Sequence, residues 1–190
     1  IAVQQNDGNM TLDLAVTGVR QFSAEDGDIT EITMKDKVYP FVVKQLFKAY
    51  KGTDIISTWV EIENKGKKPV TLYRFASAFF PLQRADNWMT HFHGFWGSEH
   101  TMAEEQLTNG QKTISNKDGM CNTEQDNPSF LISMDGKPGE ETGHVFAGTL
   151  AWTGNYLIKV IASNTALSVS AGINEETSFY KLEKNEVFTT

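Results

Sequence analysis

The feature that most constrains this 190-residue sequence is a succession of short segments rich in β-branched and aromatic residues, each followed by a turn signal. Such side chains favour the pleated surface of a strand, whereas glycine, proline, asparagine and aspartate favour turns. No apolar pattern with the helical period continues for ten residues, and only 98–107 resembles a short helix or a loop crossing. The sequence therefore predicts an all-β protein, with strands at 11–16, 28–34, 38–48, 54–64, 70–75, 129–134, 145–152, 156–162 and 166–171.

The predicted strands 54–64 and 70–75 are separated by Lys-Gly-Lys-Lys-Pro at 65–69. Two strands joined by a short turn-forming run commonly pair as an antiparallel hairpin. We therefore expect these two strands to be neighbours in one sheet. Because the sequence has no fixed repeat and no linker-like tract, we expect residues 1–190 to form a single antiparallel β-sandwich domain with many short strands.

Charge and composition exclude several partners. The net charge is −7, from 24 acidic and 17 basic residues scattered along the chain, which disfavours binding to phosphate backbones and anionic membrane surfaces. No apolar run approaches the about 18 residues that a membrane-spanning helix needs. The single cysteine, Cys121, excludes an internal disulfide but does not distinguish compartments. We expect no nucleic acid and no membrane as partner, and localisation stays open between cytoplasmic and periplasmic or secreted.

The densest group of histidines and aromatic residues lies at 88–100. Strand geometry places His91 and His93 on one face, and with Glu99 they resemble the metal motif of cupins. Five residues separate His93 from Glu99, however, whereas the cupin gap is shorter and a second motif is missing here. We therefore expect no metal and no other cofactor, and a metal-dependent, cupin-like enzyme remains an alternative.

The same group of residues has a second interpretation, because sugar rings stack on aromatic side chains while polar groups bind the hydroxyls. Trp88, Trp96 and Glu99 are the candidate sugar contacts. Aromatic residues in strands are also common in cores, and both interpretations stand for Trp88, whereas we expect Phe92 in the core. A free-standing carbohydrate-binding module is therefore another alternative.

Catalysis is not visible in these residues. The sequence contains no nucleophile elbow, no P-loop and no dinucleotide fingerprint. Glycoside cleavage needs a pair of carboxyl groups about 5–10 Å apart, and the scattered acidic residues single out no such pair. We expect no catalytic residue in this chain.

Several blocks follow one another in a fixed order: Gly-Phe-Trp-Gly-Ser-Glu-His at 94–100, then 107–115, 124–130, 144–156 and 171–190. Together they resemble the N-terminal domain of glycoside hydrolase family 36 α-galactosidases. The resemblance implies an antiparallel β-supersandwich of the galactose mutarotase-like type. Three positions depart from the family pattern, Ser98 where many relatives carry Arg and Thr123-Glu124 in place of Ser-His.

The resemblance also implies a function. In that family the catalytic aspartates lie on a following (β/α)8 barrel that releases terminal α-linked galactose with retention, and this chain stops about where the barrel should begin. We therefore expect a non-catalytic domain that supports the barrel, helps a homo-oligomer assemble and shapes the rim of a site for galactose-containing oligosaccharides. Its candidate contacts at that rim are Trp88, Trp96 and Glu99.

Overall fold

The computed structural model describes residues 1–120, 126–176 and 178–190, and these residues form β-strands joined by turns, with no helix and hence no helical membrane span. The strand pairs whose register is described are antiparallel. The predicted all-β, antiparallel class is thus confirmed. The strands are β1 (Ala2–Gln4), β2 (Leu14–Ala24), β3 (Gly27–Asp36), β4 (Phe41–Tyr50), β5 (Ile56–Asn64), β6 (Val70–Arg74), β7 (Ala76–Leu82), β8 (Trp88–Phe95), β9 (Ser98–Gln106), β10 (Gly110–Asn116), β11 (Asp126–Ser133), β12 (Val145–Thr149), β13 (Tyr156–Ala162), β14 (Leu167–Ile173), β15 (Tyr180–Leu182) and β16 (Val187–Thr189).

The chain divides into two compact units. The first unit comprises Ile1–Ala78 and Ser178–Thr190, and the second comprises Phe79–Thr177. In the first unit, one sheet has the strand order β16-β5-β4-β3-β2 and a smaller sheet has the order β1-β6-β15. In the second unit, one sheet has the order β12-β11-β8-β9 and the other has the order β10-β13-β14-β7.

The core of the first unit follows from strand alternation. Val43 of β4 and Ile62 of β5 are cross-strand partners on the buried face of the larger sheet, with exposures of 2% and 0%. On the same face Phe188 of β16 stacks edge-to-face on Phe75, with 4.8 Å between ring centroids, and it lies 4.6 Å from the ring of Tyr180 of β15. This aromatic cluster joins the two sheets of the first unit, since burying one such side chain contributes about 1.5–3 kcal/mol.

The expected hairpin of 54–64 and 70–75 is wrong, although both strands exist. Both edges of β5 are occupied, by β4 and by β16, so β6 pairs instead with β1 and β15 in the other sheet. The buried side chain of Asn64 directs this change of sheet. Its amide nitrogen donates to the carbonyls of Lys68 (2.9 Å) and Leu182 (3.2 Å), and its oxygen accepts from the Gly66 amide (2.9 Å).

The second unit is also built around alternating strands. Met89 of β8 opposes Ile132 of β11, and both are buried, at 1% and 0% exposure. Phe146 of β12 lies 5.3 Å from the ring of Phe80 of β7, which links the two sheets of this unit. Tyr156 of β13 is fully buried and donates its hydroxyl to the Asp126 carbonyl, and burial raises the pKa of that hydroxyl.

The segment 98–107 is a strand rather than a helix or a loop crossing. It forms β9, which pairs with β8 from Trp88↔Gln106 to Phe95↔Ser98. Residues such as Glu104, Glu105 and Gln106 have good intrinsic helix propensity, but the partner strand supplies backbone hydrogen bonds that outweigh it. The turn at 96–97 brings β9 beside β8, and this pairing makes the segment a strand.

Four charged side chains of alternating sign run across β2, β3, β4 and β5. Arg20 donates to both carboxylate oxygens of Glu31, at 2.9 and 2.7 Å, and Lys44 lies 3.9 Å from Glu31 and 3.4 Å from Glu61. The Glu31 side chain is only 6% exposed, whereas that of Arg20 is 64% exposed. The hydrogen bonds from Arg20 are the main cause that lowers the pKa of Glu31 below 4.5.

Replacing Arg20 by methionine tests this row of charges. The variant keeps the aliphatic stem but removes the two Arg20 hydrogen bonds to the buried Glu31 carboxylate, which among the described residues retains only Thr33 at 3.2 Å and Lys44 at 3.9 Å, so we expect a lower denaturation midpoint in urea at pH 7. Because Glu31 has a lowered pKa when folded, its contribution to stability is present above pH 4.5 and is lost as the pH falls through the folded pKa. The deficit of the variant should therefore shrink as the pH is lowered below 4.5. Lys37→Met, which removes an exposed pair with Asp13, is the control and should leave the midpoint unchanged; a deficit as large at low pH as at pH 7 would contradict the assignment.

Replacing Asn64 by alanine tests the change of sheet after β5. The substitution removes three hydrogen bonds, of which the one to the Leu182 carbonyl is buried, so we expect the free energy of unfolding to fall by about 2–4 kcal/mol. Chemical denaturation followed by tryptophan fluorescence measures the change. The matched control is Asn6→Ala at an exposed turn position, and equal losses in the two variants would refute a special role for Asn64.

Candidate functional site

The candidate site lies on the hairpin formed by β8 and β9 in the second unit. Phe95 pairs with Ser98 across a two-residue turn, in which Gly97 has φ +79°, a value that L side chains rarely adopt. Gly94 is needed just before the turn, because a Cβ there would lie 2.5 Å from the Ser98 carbonyl oxygen and 2.8 Å from the Glu99 Cα. The strand register shifts between His93 and Phe95, as in a β-bulge. The local sequence thus determines how the tip of the hairpin is aimed.

Two of the predicted site residues meet at this tip. Trp96 is 83% exposed and its neighbour Phe95 is 66% exposed, so the tip carries two aromatic rings into solvent. The Glu99 carboxylate accepts a hydrogen bond from the Gly97 amide at 3.1 Å. This bond is the main cause that lowers the pKa of Glu99, which favours its anionic form. The turn therefore presents aromatic faces beside a fixed carboxylate.

Trp88, the third predicted site residue, lies at the other end of β8. Eight positions separate it from Trp96, which corresponds to roughly 26 Å along a strand. The ammonium of Lys137 lies 5.4 Å from the centre of the Trp88 ring and pairs with Glu104 at 3.5 Å. The Trp88 indole N–H is buried and has no hydrogen-bond partner among the described residues. The ring is thus half-buried beneath Lys137 rather than presented next to Trp96.

The histidines of β8 share one face, as the strand period predicts, with 6.0 Å between the ring centroids of His91 and His93. Glu99 does not complete a metal site with them, because its carboxylate binds the Gly97 amide at the turn. Within residues 1–120, 126–176 and 178–190, no three or more His, Cys, Asp or Glu side chains are grouped as metal ligands. Cys121 and the departures at Thr123 and Glu124 lie outside the described residues.

A polar pair that no sequence pattern indicated lies at the base of the loop between β11 and β12. The His144 ring nitrogen Nδ1 lies 2.7 Å from an Asp135 carboxylate oxygen, and the His144 backbone N–H donates to the other at 3.0 Å. These two contacts, the backbone one first, lower the pKa of Asp135. The sequence signalled only a turn at 135–139, and nothing in it indicated that His144 closes the loop. The pair ties the loop ends together and orients an imidazole that is 90% exposed.

Comparison with known proteins identifies the family of this chain. Residues 1–183 match the sequence model described as the glycosyl hydrolase family 36 N-terminal domain. Alpha-galactosidase Mel36A from Lactobacillus acidophilus is 28% identical over 160 residues, which cover 84% of this chain and 22% of that protein. The bifunctional alpha-galactosidase/sucrose kinase AgaSK from Mediterraneibacter gnavus is 22% identical over 87% of this chain and 18% of its own length. The chain therefore spans about a fifth of these curated relatives.

A solved structure extends the likeness to the fold. The GH36 alpha-galactosidase AgaA from Geobacillus stearothermophilus superposes with a TM-score of 0.93 at 24% identity, covering all of this chain and 28% of the AgaA chain. At that identity the likeness concerns the fold alone. With the family match over residues 1–183, the conclusion about kinship is direct: this chain belongs to the glycosyl hydrolase family 36 N-terminal domain family.

Proposed function

We propose that this chain is the non-catalytic N-terminal domain of an α-galactosidase that hydrolyses terminal α-linked galactose with retention. The observation that carries the proposal is the match of residues 1–183 to an N-terminal domain whose relatives are alpha-galactosidases several times longer. A (β/α)8 barrel needs roughly 200 residues or more, and the described residues here are already committed to strands and turns of another fold. The family match runs through both compact units, which supports treating 1–190 as one domain.

Within that enzyme, the domain supports the catalytic barrel, helps a homo-oligomer assemble and contributes to the rim of the site for galactose-containing oligosaccharides. Exposed aromatic rings at a constrained turn are typical of contact surfaces, because they lose unfavourable hydration when covered. Trp96 and Phe95 provide such rings, and Glu99 beside them offers an acceptor for a hydroxyl or a backbone N–H. Trp88 contributes from the base of the hairpin, where Lys137 covers part of its ring.

A free-standing carbohydrate-binding module is the second candidate. The observation that favours it is the adjacency of Phe95 and Trp96, 66% and 83% exposed, since sugar faces stack on rings of this kind. In that case the chain alone would bind a galactoside. Titration with melibiose or raffinose would then change tryptophan fluorescence in the wild type and not in Trp96→Ala. Absence of any change would exclude this second function and leave the first intact.

The division of labour predicts where activity lies. We expect hydrolysis of a chromogenic α-galactoside only by a protein in which this sequence is followed by a catalytic barrel, and no turnover by residues 1–190 alone. The two proteins are assayed side by side at equal molar concentration. Turnover by residues 1–190 alone would show that a catalytic carboxyl pair exists within them and would overturn the proposal.

The rim proposal predicts a specific effect of Trp96→Ala in the barrel-containing enzyme. We expect KM for an oligosaccharide substrate to rise by about tenfold, equivalent to about 1.4 kcal/mol of lost binding, with a smaller change in kcat. Light scattering during size exclusion measures the mass of the oligomer. An unchanged mass with a raised KM indicates that Trp96 contacts the substrate directly, whereas a lower mass indicates that it acts through subunit assembly.

The matched control for this variant is Ile161→Ala, which removes another exposed apolar side chain of the second unit, on β13. It should leave both KM and the oligomeric state unchanged. Equal kinetics in wild type and Trp96→Ala, with an unchanged oligomer, would remove Trp96 from the rim and from the assembly contact.

A further inference from the structure

The two histidines of β8 lie on the face of the strand that is buried at Met89 and becomes exposed towards Phe95. Met89, His91, His93 and Phe95 alternate along the strand, and their exposure rises from 1% at Met89 through a half-buried His91 and an exposed His93 to 66% at Phe95. The two imidazoles therefore lie at the boundary between the core of the second unit and solvent. The exposed ring of His93 is open to solvent there, and the half-buried ring of His91 lies beside it, with 6.0 Å between the ring centroids.

The neighbouring strands place mostly small residues opposite these rings. On β9 the partners of His91 and His93 are the small residues Ala103 and Thr101. On β11 the register partners are the buried Phe130 opposite His91 and Asp126 opposite His93, and the Asp126 carboxylate accepts a hydrogen bond from the Ser115 amide at 3.3 Å. The pair therefore faces small residues on β9 and a buried aromatic residue opposite His91 on β11.

The geometry of the two rings suits one bridging ion. Their centroids are 6.0 Å apart and their planes are inclined by 49°, so ring edges turned towards each other leave space for one ion. A bound ion takes each imidazole nitrogen at about 2.0–2.1 Å. The ring torsion about Cβ–Cγ is soft, so either nitrogen of each ring can be presented.

A second observation points to a missing partner. The His91 Nδ1 atom is buried and makes no hydrogen bond with any described residue. Buried polar atoms are normally paired, and each exception calls for an explanation such as an absent ion. If this nitrogen is deprotonated, its lone pair is available to coordinate a metal ion; if it is protonated, metal binding releases the proton.

We propose that His91 and His93 form a two-imidazole chelating site for a borderline divalent transition-metal ion. The ions that suit such ligands are Cu²⁺, Ni²⁺ and Zn²⁺, with Cu²⁺ bound most tightly, whereas Mg²⁺ and Ca²⁺ prefer oxygen ligands. Two protein ligands leave the other coordination positions to water. The site is therefore one of reversible binding rather than the closed four-ligand arrangement of structural zinc, and it departs from the sequence-based expectation of no metal.

The test uses tag-free protein containing the whole 190-residue sequence, titrated with Ni²⁺ by calorimetry. We expect about one saturable equivalent in the wild type and binding about tenfold weaker or more in His93→Ala, because losing one of two linked ligands removes chelation. His93 is exposed, and an unchanged circular dichroism spectrum confirms that the variant folds. His144→Ala, which removes a distant exposed histidine, is the matched control and should bind like the wild type.

A second measurement identifies the ligands independently. The chain contains four histidines, so the imidazole signals of His91, His93, His100 and His144 can be assigned by NMR. We expect sub-stoichiometric Zn²⁺ to shift or broaden the signals of His91 and His93 first and Mg²⁺ to shift none. No saturable Ni²⁺ binding in the wild type, undiminished binding in His93→Ala, or first shifts at His100 or His144 would each overturn the proposal. None of these outcomes bears on the α-galactosidase proposal, whose assays are separate.

Discussion

The structure of the first unit depends on one buried side-chain amide at the end of β5. Asn64 is 2% exposed and binds backbone groups of Gly66, Lys68 and Leu182. These bonds allow the chain to leave β5, whose two edges are already occupied by β4 and β16, and to enter a different sheet. Where the chain passes from one sheet to another, backbone groups lose their strand partners. Leaving them unpaired would cost about as much free energy as strand hydrogen bonds contribute, so a polar side chain has to lie inside an otherwise apolar region.

In the second unit, buried asparagines also bind backbone groups near the ends of strands. Asn87, fully buried, donates to the Ser133 and Gln83 carbonyls and accepts from the Ala85 amide. Asn174, also fully buried, donates to the carbonyls of Asn116 and Tyr156. Asparagine suits these places because one short side chain carries two donors and an acceptor. Connections fixed from the inside leave the outer hairpins free to carry exposed side chains.

The exposed tip of the β8–β9 hairpin can serve as a contact surface because buried asparagines, and not the hairpin itself, fix the connections between the strands. The β8–β9 hairpin keeps Met89 in the core at one end while Trp96 stands in solvent at the other. Its tip is shaped by backbone constraints at Gly94 and Gly97 rather than by packing. A surface of this kind keeps its conformation before any partner arrives, which limits the conformational entropy lost on binding. A contact at such a tip suits the accessory role proposed for the domain, because it requires only exposed side chains held in place.

Local sequence determined many of the strands and, within each, which side chains share a face, because the period of two is a property of the extended backbone itself. The segment 156–162 was predicted with its observed ends, and His91 and His93 share a face as predicted.

The tertiary structure alone decided which strands pair and which side chains meet. The hairpin expected for 54–75 is absent because β5 has no free edge, and 98–107 is a strand because β8 lies beside it. Trp96 and Glu99 meet at one turn while Trp88 lies a strand length away under Lys137. Pairing depends on contacts between residues far apart in the chain, and no local pattern encodes the competition among strands for an open edge.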